Sequence, residues 1–279
     1  MMVYLNGNLI DEKTAHIGFD DRGFLFADGV YEVIHIYSRK FFEWDRHMAR
    51  LQRSMAGINL SEVDMHALSK GAEALLEDFD GEEGILYLEI TRGVHPRSHA
   101  FPPPEVRPTI LMWVRSHQPF STDTITQGVS VITVADDRWA KVWIKTIGLL
   151  PNVLAKEKAH KMGVYDAVFV RDGMVMEATS ANIFIVRRGI LRTAPVTNYI
   201  LPGITREVAL EIAKEQGIAI ALEPFSVEDM YSAEEIFLTG TTTEILPVTQ
   251  VDGRTVGKKA GAVTLLLLDA LRAKAYAVS

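Results

Sequence analysis

Short strand-like runs joined by two-residue turns constrain the fold of this chain more than any other feature. Residues 3–10 turn at Asn6-Gly7, residues 167–176 at Asp172-Gly173, and residues 182–192 at Arg188-Gly189. Glycine and asparagine accept the positive φ angles of tight turns, so these pairs predict β-hairpins. Strands joined by hairpins run antiparallel, which favours mixed sheets over a regular succession of βαβ units.

Strands and helices interleave along the rest of the chain, so the predicted fold class is α+β. Alternation predicts further strands over 30–37, 85–91, 109–114, 128–134, 218–222 and 235–239. Helical periodicity predicts helices over 45–56, from Ser61 to Phe79 with Asp64 in a capping box, over 204–216, and from about Ala260. The chain of 279 residues is long enough for two domains. A polar, aperiodic stretch after Ser116 predicts the division, with domains over 1–118 and 122–279.

The segment VWIKTIGLLPNVLAKEKAHKMG, from Val142 to Gly163, carries one lysine in an apolar setting. It is predicted to open as a strand ending at Lys145, followed by a helix with Pro151 in its first turn. An amine beside Trp143 and Ile144 loses hydration, which favours the neutral form that imine formation needs. The alternative is a lysine whose ammonium reaches water past an apolar stem.

Two segments have the character of phosphate cradles. LPGITRE places Ile204 and Thr205 at a helix start, where free backbone N–H groups favour an anion. TGTTTE places Gly240 and Thr241 after a strand, although glycine–threonine turns are common. Arg50 is a candidate cationic partner, or a solvated residue on the polar face of its helix.

Glu177 follows Met174-Val175-Met176 and precedes small polar residues, at the end of a predicted strand. A carboxylate in such a place can hold a ring nitrogen in its protonated form, and an exposed strand-end glutamate is the alternative. The proline-rich loop between strands 85–91 and 109–114 carries Arg97 and His99. Two residues apart in an extended segment, they project the same way and can converge on one carboxylate, unless they are simply solvated.

Composition excludes several classes of function. The formal charge of −7 argues against nucleic acid or an anionic membrane as the main partner. With no cysteine, disulfides and thiolate zinc sites are excluded, and no histidine spacing predicts a metal site. No secretory signal is visible, and the apolar run Ala262–Leu268 is too short to span a bilayer, so a cytoplasmic enzyme is expected.

Taken together, these motifs closely resemble the fold-type IV pyridoxal-phosphate enzymes, and among them the bacterial D-amino-acid transaminases. The resemblance rests on IKT at Lys145, E-x-x-S-x-N at Glu177, LPGITR, TGTTTE, DGVYEV and TRGVHPRSHAFP, and it spans nearly the whole chain. It implies a small N-terminal α/β domain, a larger C-terminal pseudo-barrel domain, a homodimer, and pyridoxal 5'-phosphate in the cleft between the domains. ATSAN has fewer hydroxyls than is usual in that group, and Gly240 stands where a serine is possible.

The resemblance also implies a role for each candidate residue. Lys145 binds the cofactor covalently and moves the proton at the substrate Cα, while Glu177 pairs with the pyridine nitrogen and Leu201 supports the ring. The phosphate is held by Arg50, Ile204, Thr205, Gly240 and Thr241. The substrate carboxylate is held by Tyr31, Arg97 and His99, the latter two reaching in from the partner subunit.

The expected reaction is amino-group exchange between D-amino acids, such as D-alanine and D-glutamate, and 2-oxo acids such as pyruvate and 2-oxoglutarate. A branched-chain L-amino-acid aminotransferase would share everything except the carboxylate-binding residues. An aminodeoxychorismate lyase would share the cofactor site without a second keto acid. A non-catalytic binding protein is disfavoured by the joint presence of Lys145 and Glu177.

Overall fold

The computed structural model describes residues 1–60 and 63–277. The chain divides into two compact units. Unit 1 comprises Met1–Gln118 and the short segment Ile144–Leu149, and unit 2 comprises Pro119–Trp143 and residues 150–277. The prediction of an N-terminal domain over 1–118 and a C-terminal domain over 122–279 stays a prediction.

Unit 1 is built on an antiparallel sheet of six strands in the order β2-β1-β6-β5-β3-β4. Its strands are β1 (Met2–Leu5), β2 (Asn8–Asp11), β3 (Gly29–Tyr37), β4 (Lys40–Phe41), β5 (Gly84–Thr91) and β6 (Thr109–Ser116). Its helices are α1 (Arg22–Phe26), α2 (Trp44–Gly57) and α3 (Met65–Asp78).

The two faces of the unit 1 sheet differ because side chains alternate along each strand. On β5, Leu86, Leu88 and Ile90 are fully buried, and α2 adds Leu51 to the core. Tyr87 and Glu89 point to the opposite, half-buried face. Tyr31, which the sequence analysis predicted to bind the substrate, lies on this second face.

Unit 2 contains a mixed sheet of nine strands in the order β12-β11-β10-β13-β14-β7-β8-β9, with β15 paired to β14. The strands are β7 (Val129–Ala135), β8 (Asp166–Arg171), β9 (Met174–Ala178), β10 (Asn182–Arg187), β11 (Ile190–Thr193), β12 (Ala219–Leu222), β13 (Glu235–Gly240), β14 (Glu244–Val251) and β15 (Arg254–Thr255). The helices are α4 (Thr122–Gln127), α5 (Leu150–Lys161), α6 (Ile204–Glu215), α7 (Val227–Tyr231) and α8 (Ala262–Ala277).

The three predicted hairpins are confirmed, and so are the α+β class and the helices α2, α5, α6 and α8. The prediction of a strand ending at Lys145 is wrong, because residues 140–143 form turns. Asp64 is the N-cap of α3 and accepts from the backbone N–H of His66 and Ala67, so it is not the third residue of a capping box. The predicted helix start at Ser61 lies outside the described residues. The helices α4 and α7 and the strands β14 and β15 were not predicted.

Candidate active site

Lys145 lies in unit 1, in the short segment that runs beside the start of β3. Its carbonyl accepts from the backbone N–H of Tyr31 at 3.0 Å, and its own N–H donates to Ser54 Oγ at 3.1 Å. Gly29 permits this close approach, since a Cβ there would lie 2.9 Å from Ile147 Cδ1. The Lys145 Nζ sits 4.1 Å from the centroid of the Tyr31 ring. Two residues predicted for one site, 114 positions apart in sequence (145 − 31), are therefore in contact.

A buried charged cluster lies on the core face of the same strand. Glu32, fully buried, accepts from Arg50 Nε and Nη2, each at 2.7 Å, and contacts His47 Nδ1 at 2.8 Å. Arg50 is itself buried, so the alternative of a solvated helix-face arginine is wrong. Arg50 lies on the inward side of α2, with the buried residues Met48 and Leu51, and therefore points toward β3.

The protonation of this cluster follows from its contacts. Burial alone would raise the pKa of Glu32, but the charge and hydrogen bonds of Arg50, with those of His47, lower it to about 2. Burial lowers the pKa of His47, against the raising effect of Glu32. Glu32 and His47 were missed by the sequence analysis. A signal was present, since Glu32 stands in the inward register of Ile34 and Ile36.

Arg97 and His99 share one neighbour, the ring of Phe26. The Arg97 guanidinium lies 5.0 Å and the His99 ring 5.4 Å from that ring. Both side chains are exposed, in a loop without helix or strand that is anchored by a hydrogen bond of 2.6 Å from Arg22 Nη1 to the Ser98 carbonyl. Because both side chains lie beside Phe26, they project in a similar direction. That they bind a carboxylate stays a prediction.

Glu177, at the end of β9 in unit 2, is a buried carboxylate with three donors. Arg138 Nη1 donates to Oε1 at 2.6 Å, while Asn182 Nδ2 and the backbone N–H of Leu201 donate to Oε2, each at 3.0 Å. The alternative of an exposed strand-end glutamate is therefore wrong. Burial raises the pKa of Glu177 to about 7, against the lowering effect of the Arg138 charge.

Arg138 links Glu177 to a second buried carboxylate, Asp136. Arg138 Nε donates to Asp136 Oδ1 at 2.9 Å, and Arg171 also pairs with Asp136. Burial opposes the charge on Arg138, but its two carboxylate partners raise its pKa overall. These residues were missed, although the charged run Asp136-Asp137-Arg138 directly after an apolar strand was a visible signal.

The start of α6 and the end of β13, the two segments predicted to hold a phosphate, lie close together in unit 2. Thr239 on β13 pairs with Asn182 on β10, and Asn182 Nδ2 donates to the Leu201 carbonyl. Gly203 is the N-cap of α6, and a Cβ there would lie 2.0 Å from Asn182 Oδ1. The predicted residues Ile204 and Thr205 on α6 and Gly240 and Thr241 after Thr239 are therefore neighbours in one region of unit 2.

The donors of this region fit a phosphate. Thr239 Oγ1 and Arg206 Nε are buried and have no hydrogen-bond partner among residues 1–60 and 63–277. The free N–H groups of the first turn of α6 add further donors. Buried donors without partners are rare, and an anion is one kind of ligand that such donors bind. The residues present therefore fit the phosphate of the expected cofactor.

The described residues contain neither a cluster of metal ligands nor a membrane-spanning helix. No group of three or more histidine, cysteine, aspartate or glutamate side chains in this part of the chain could hold a metal ion. Within the same ranges, no helix is both long enough and apolar enough to cross a membrane.

Comparison with known proteins gives consistent results. The sequence profile of the amino-transferase class IV family matches residues 29–251. The D-alanine aminotransferase of Staphylococcus haemolyticus is 39% identical over 270 residues, covering 96% of this chain and 95% of that protein. The D-alanine aminotransferase of Bacillus licheniformis is 38% identical over 262 residues, covering 93% and 92%.

Solved structures of the same fold cover nearly the whole chain. The branched-chain aminotransferase of Thermoproteus uzoniensis, solved with norvaline, has a TM-score of 0.89 at 27% identity, covering 99% of this chain and 95% of that one. A hypothetical aminotransferase from Mycobacterium tuberculosis, in its PLP-bound form, has a TM-score of 0.87 at 22% identity, covering 100% of both chains. The similarity to the second structure supports only the fold. The expected fold-type IV class is confirmed.

Proposed function

Since this chain belongs to the amino-transferase class IV family, we propose that it is a pyridoxal-phosphate-dependent transaminase of D-amino acids. It exchanges amino groups between D-amino acids, D-alanine and D-glutamate among them, and 2-oxo acids such as pyruvate and 2-oxoglutarate. The observation that supports the proposal is the contact of Lys145, the proposed cofactor-binding lysine, with Tyr31, the proposed carboxylate-binding tyrosine.

Pyridoxal phosphate, when bound, supplies an electron sink for the charge that develops at the substrate Cα. Lys145 binds the cofactor through its amine and then moves the proton at the substrate Cα as base and acid. Glu177 holds a proton at the pyridine nitrogen, and Arg138, Asn182 and Leu201 N–H fix the orientation of its carboxylate. Leu201 also supports the ring.

The phosphate is proposed to bind at the N-terminus of α6. Ile204 and Thr205 offer the N–H groups of the first helical turn. Gly240 is the last residue of β13, and Thr241 follows it directly. Thr239 Oγ1 and Arg206 Nε, both buried, are further donors in this region. Arg50 is the proposed cation in unit 1. Its tight pairing with Glu32 fixes the guanidinium in one position.

Stereochemistry is proposed to follow from where the substrate carboxylate binds. Arg97 offers a planar fork of donors that matches a carboxylate, and His99 and Tyr31 add hydrogen bonds. With the carboxylate held there, the D-enantiomer presents its Cα hydrogen to Lys145. An L-amino acid would place its side chain against Arg97 and leave that cation without a partner, which costs roughly 3–5 kcal/mol when the cation is desolvated.

The test is a panel of D- and L-amino acids assayed with 2-oxoglutarate and pyruvate. D-alanine and D-glutamate should react about 10² to 10³ times faster than their L-forms, and Arg97→Ala should reduce this ratio while the protein keeps its cofactor. A wild-type preference for L-leucine would contradict the proposal and indicate a branched-chain enzyme.

Assembly and location belong to the same proposal. The protein is proposed to be a cytoplasmic homodimer, in which Arg97 and His99 serve the active site of the partner subunit. Phe19 (81%), Phe24 (82%) and Phe101 (58%) are exposed in the single chain, and large exposed aromatic side chains of this kind are typical of protein interfaces.

A further inference from the structure

A carboxylate, Glu89, stands on the face of unit 1 that carries Tyr31. The β3–β5 register places Tyr31 directly opposite Glu89, and side chains opposite one another on a sheet face are neighbours. The Tyr31 ring stacks on Tyr87 with centroids 5.8 Å apart and planes inclined by 29°, and Tyr87 stacks in turn on Trp113 at 5.0 Å. Lys145 Nζ lies over the Tyr31 ring, so the residue opposite Glu89 across the two strands is also a neighbour of the Lys145 amine.

Tyr87 fixes the position of this carboxylate. The Tyr87 hydroxyl donates to Glu89 Oε2 at 2.6 Å. Burial, followed by the neighbouring Glu89, raises the pKa of Tyr87, so its hydroxyl remains a donor across the working pH range. A stacked ring on either side of it, Tyr31 and Trp113, limits the freedom of the Tyr87 side chain.

Glu89 has a hydrogen-bond donor in Tyr87 but no salt-bridge partner within the described chain. Among residues 1–60 and 63–277, no lysine, arginine or histidine forms a salt bridge with Glu89. Glu32 on the opposite face differs, because Arg50 pairs with both of its oxygens. A half-buried negative charge of this kind repels a second anion more strongly than the same charge in water would.

We propose that Glu89 is a specificity-determining residue that disfavours D-amino acids with acidic side chains and favours neutral or cationic ones. The proposal rests on the transaminase function given above, with the α-carboxylate at Tyr31, Arg97 and His99 and the Cα at Lys145. A side chain that extends from this Cα over the Tyr31–Tyr87 stack meets Glu89. D-alanine, which has no charged tail, is then a better substrate than D-glutamate. Specificity of this kind arises from a repulsive element instead of an added contact.

The experiment uses three substrates of similar length whose tails differ in charge: D-glutamate, D-glutamine and D-ornithine. The value of kcat/KM is measured for each with pyruvate as acceptor, for the wild-type holoenzyme and for Glu89→Gln. Glutamine keeps an oxygen that accepts from Tyr87, so the stack is retained. In Glu89→Gln, kcat/KM for D-glutamate relative to D-glutamine should rise about tenfold, or ~1.4 kcal/mol, and the value for D-ornithine relative to D-glutamine should fall.

Glu73→Gln is the matched control, because it removes one negative charge from an exposed position on α3 in the same unit. Its ratios should equal those of wild type. The wild type also gives a test that needs no variant. Salt screens charge repulsion, so the D-glutamate to D-glutamine ratio should rise with ionic strength.

Equilibrium binding provides a readout independent of turnover. Glutarate and pentanoate have similar lengths, and only glutarate carries a second carboxylate. Calorimetric dissociation constants on the holoenzyme should show that Glu89→Gln improves binding of glutarate relative to pentanoate by a similar factor. Unchanged ratios in both kinetics and binding would overturn the role of Glu89 and leave the transaminase function intact. If wild type transaminates no D-amino acid, the function fails, and the binding ratios still decide whether Glu89 repels a second carboxylate.

Discussion

Arg138 holds Glu177 by a hydrogen bond of 2.6 Å, and it keeps a second carboxylate partner in Asp136. This double pairing matters for any substitution at Glu177. Removing one partner of a buried ion pair usually leaves an unpaired charge. Here Arg138 would still be paired with Asp136 through Nε and Nη2. A neutral residue of the same shape can therefore replace Glu177 without loss of the fold.

Glu177→Gln should keep its cofactor and lose turnover, because an amide does not stabilise a protonated pyridine nitrogen. We expect kcat with D-alanine to fall about 10²-fold or more, which is the lower range for acid–base contributions. The measurement is steady-state kcat together with the visible absorbance of the bound cofactor. Glu215→Gln, at the exposed end of α6, is the control that removes one charge elsewhere. Turnover close to wild type would contradict the proposed role of Glu177 in the active site.

Glu32 gives a pH-dependent contribution to stability. Its pKa of about 2 lies below the usual 4.5, so its stabilising effect is complete above about pH 4.5 and is lost as the pH falls toward 2. A shift of this size corresponds to about 3 kcal/mol at neutral pH, of which roughly 2 kcal/mol is lost by pH 3.

Glu32→Gln should accordingly lower the free energy of unfolding at pH 6 by roughly 3–5 kcal/mol, since it leaves Arg50 buried without its carboxylate. The deficit relative to wild type should shrink by about 2 kcal/mol at pH 3, where wild type has lost its own contribution. Urea denaturation followed by tryptophan fluorescence measures both values. A deficit that stays constant between pH 6 and pH 3 would show that Glu32 is not ionised with a low pKa in the native protein.

At the scale of elements, the α6 N-terminus depends on the absence of a side chain at Gly203. Its φ of −73° suits any residue, so the need for glycine is one of space. A Cβ would lie 2.0 Å from Asn182 Oδ1, and Asn182 also binds Glu177 and the Leu201 carbonyl. Displacing Asn182 would therefore disturb the start of α6 and the Glu177 carboxylate together.

Gly203→Ala should weaken the binding of pyridoxal phosphate to the apoenzyme and destabilise the fold by about 1–3 kcal/mol, the range for overpacking. Gly257→Ala is a suitable control because its Cβ would meet nothing closer than 3.4 Å. Cofactor titration, followed by absorbance, and thermal unfolding give the two readouts. If Gly203→Ala binds the cofactor as wild type does, the phosphate does not bind at this helix start.

The elements that the sequence predicted are those fixed by local signals. Asn6-Gly7 and Asp172-Gly173 specify their hairpins through the two turn residues alone. The segment at Lys145 was wrongly predicted as a strand because its backbone partners are distant. Its N–H bonds to Ser54, 91 residues away, and its carbonyl bonds to Tyr31. Such partners leave no local pattern in the chain.

The residues of the candidate site also divide into those that local motifs predicted and those that only the fold revealed. Motif residues such as Lys145 and Glu177 were predicted from the sequence, and their roles stay predictions. Their supports were not found. Glu32 and Arg138 are charged residues, which are solvent-exposed by default, and only the fold shows that both are buried and paired. The sequence alone does not predict which charged residues the fold will enclose.

At the scale of the whole molecule, the proline loop and the exposed aromatic residues occur side by side. Asp21 forms a β-bridge with Val94, and the His95 N–H donates to the Asp20 carbonyl at 3.2 Å. The segment that carries Phe19 and Phe24 therefore runs beside the loop of Arg97 and His99. If the aromatic residues lie in a dimer interface, these two side chains are brought to a second subunit.

Complementation tests this arrangement. Lys145→Ala and Arg97→Ala should each have very low activity as purified proteins. After subunit exchange, each heterodimer has one site with both defects and one site with neither, so activity should reappear. In an equal mixture that exchanges randomly, it should reach up to roughly a quarter of the wild-type value. Light scattering checks the dimer, and differently tagged subunits prove that exchange has occurred. No recovery after proven exchange would place Arg97 in the active site of its own chain.

The chain passes between the two units three times, after Gln118, after Trp143 and after Leu149. This path has a consequence for recombining the gene. A chimera made by a single crossover at residue 118 would take Tyr31, Ser54 and Arg50 from one parent and Lys145 from the other. The hydrogen bonds that join Lys145 to Tyr31 and Ser54 would then link residues of different ancestry. Exchange of unit 1 between relatives requires a second insert, Ile144–Leu149, taken from the same parent as residues 1–118.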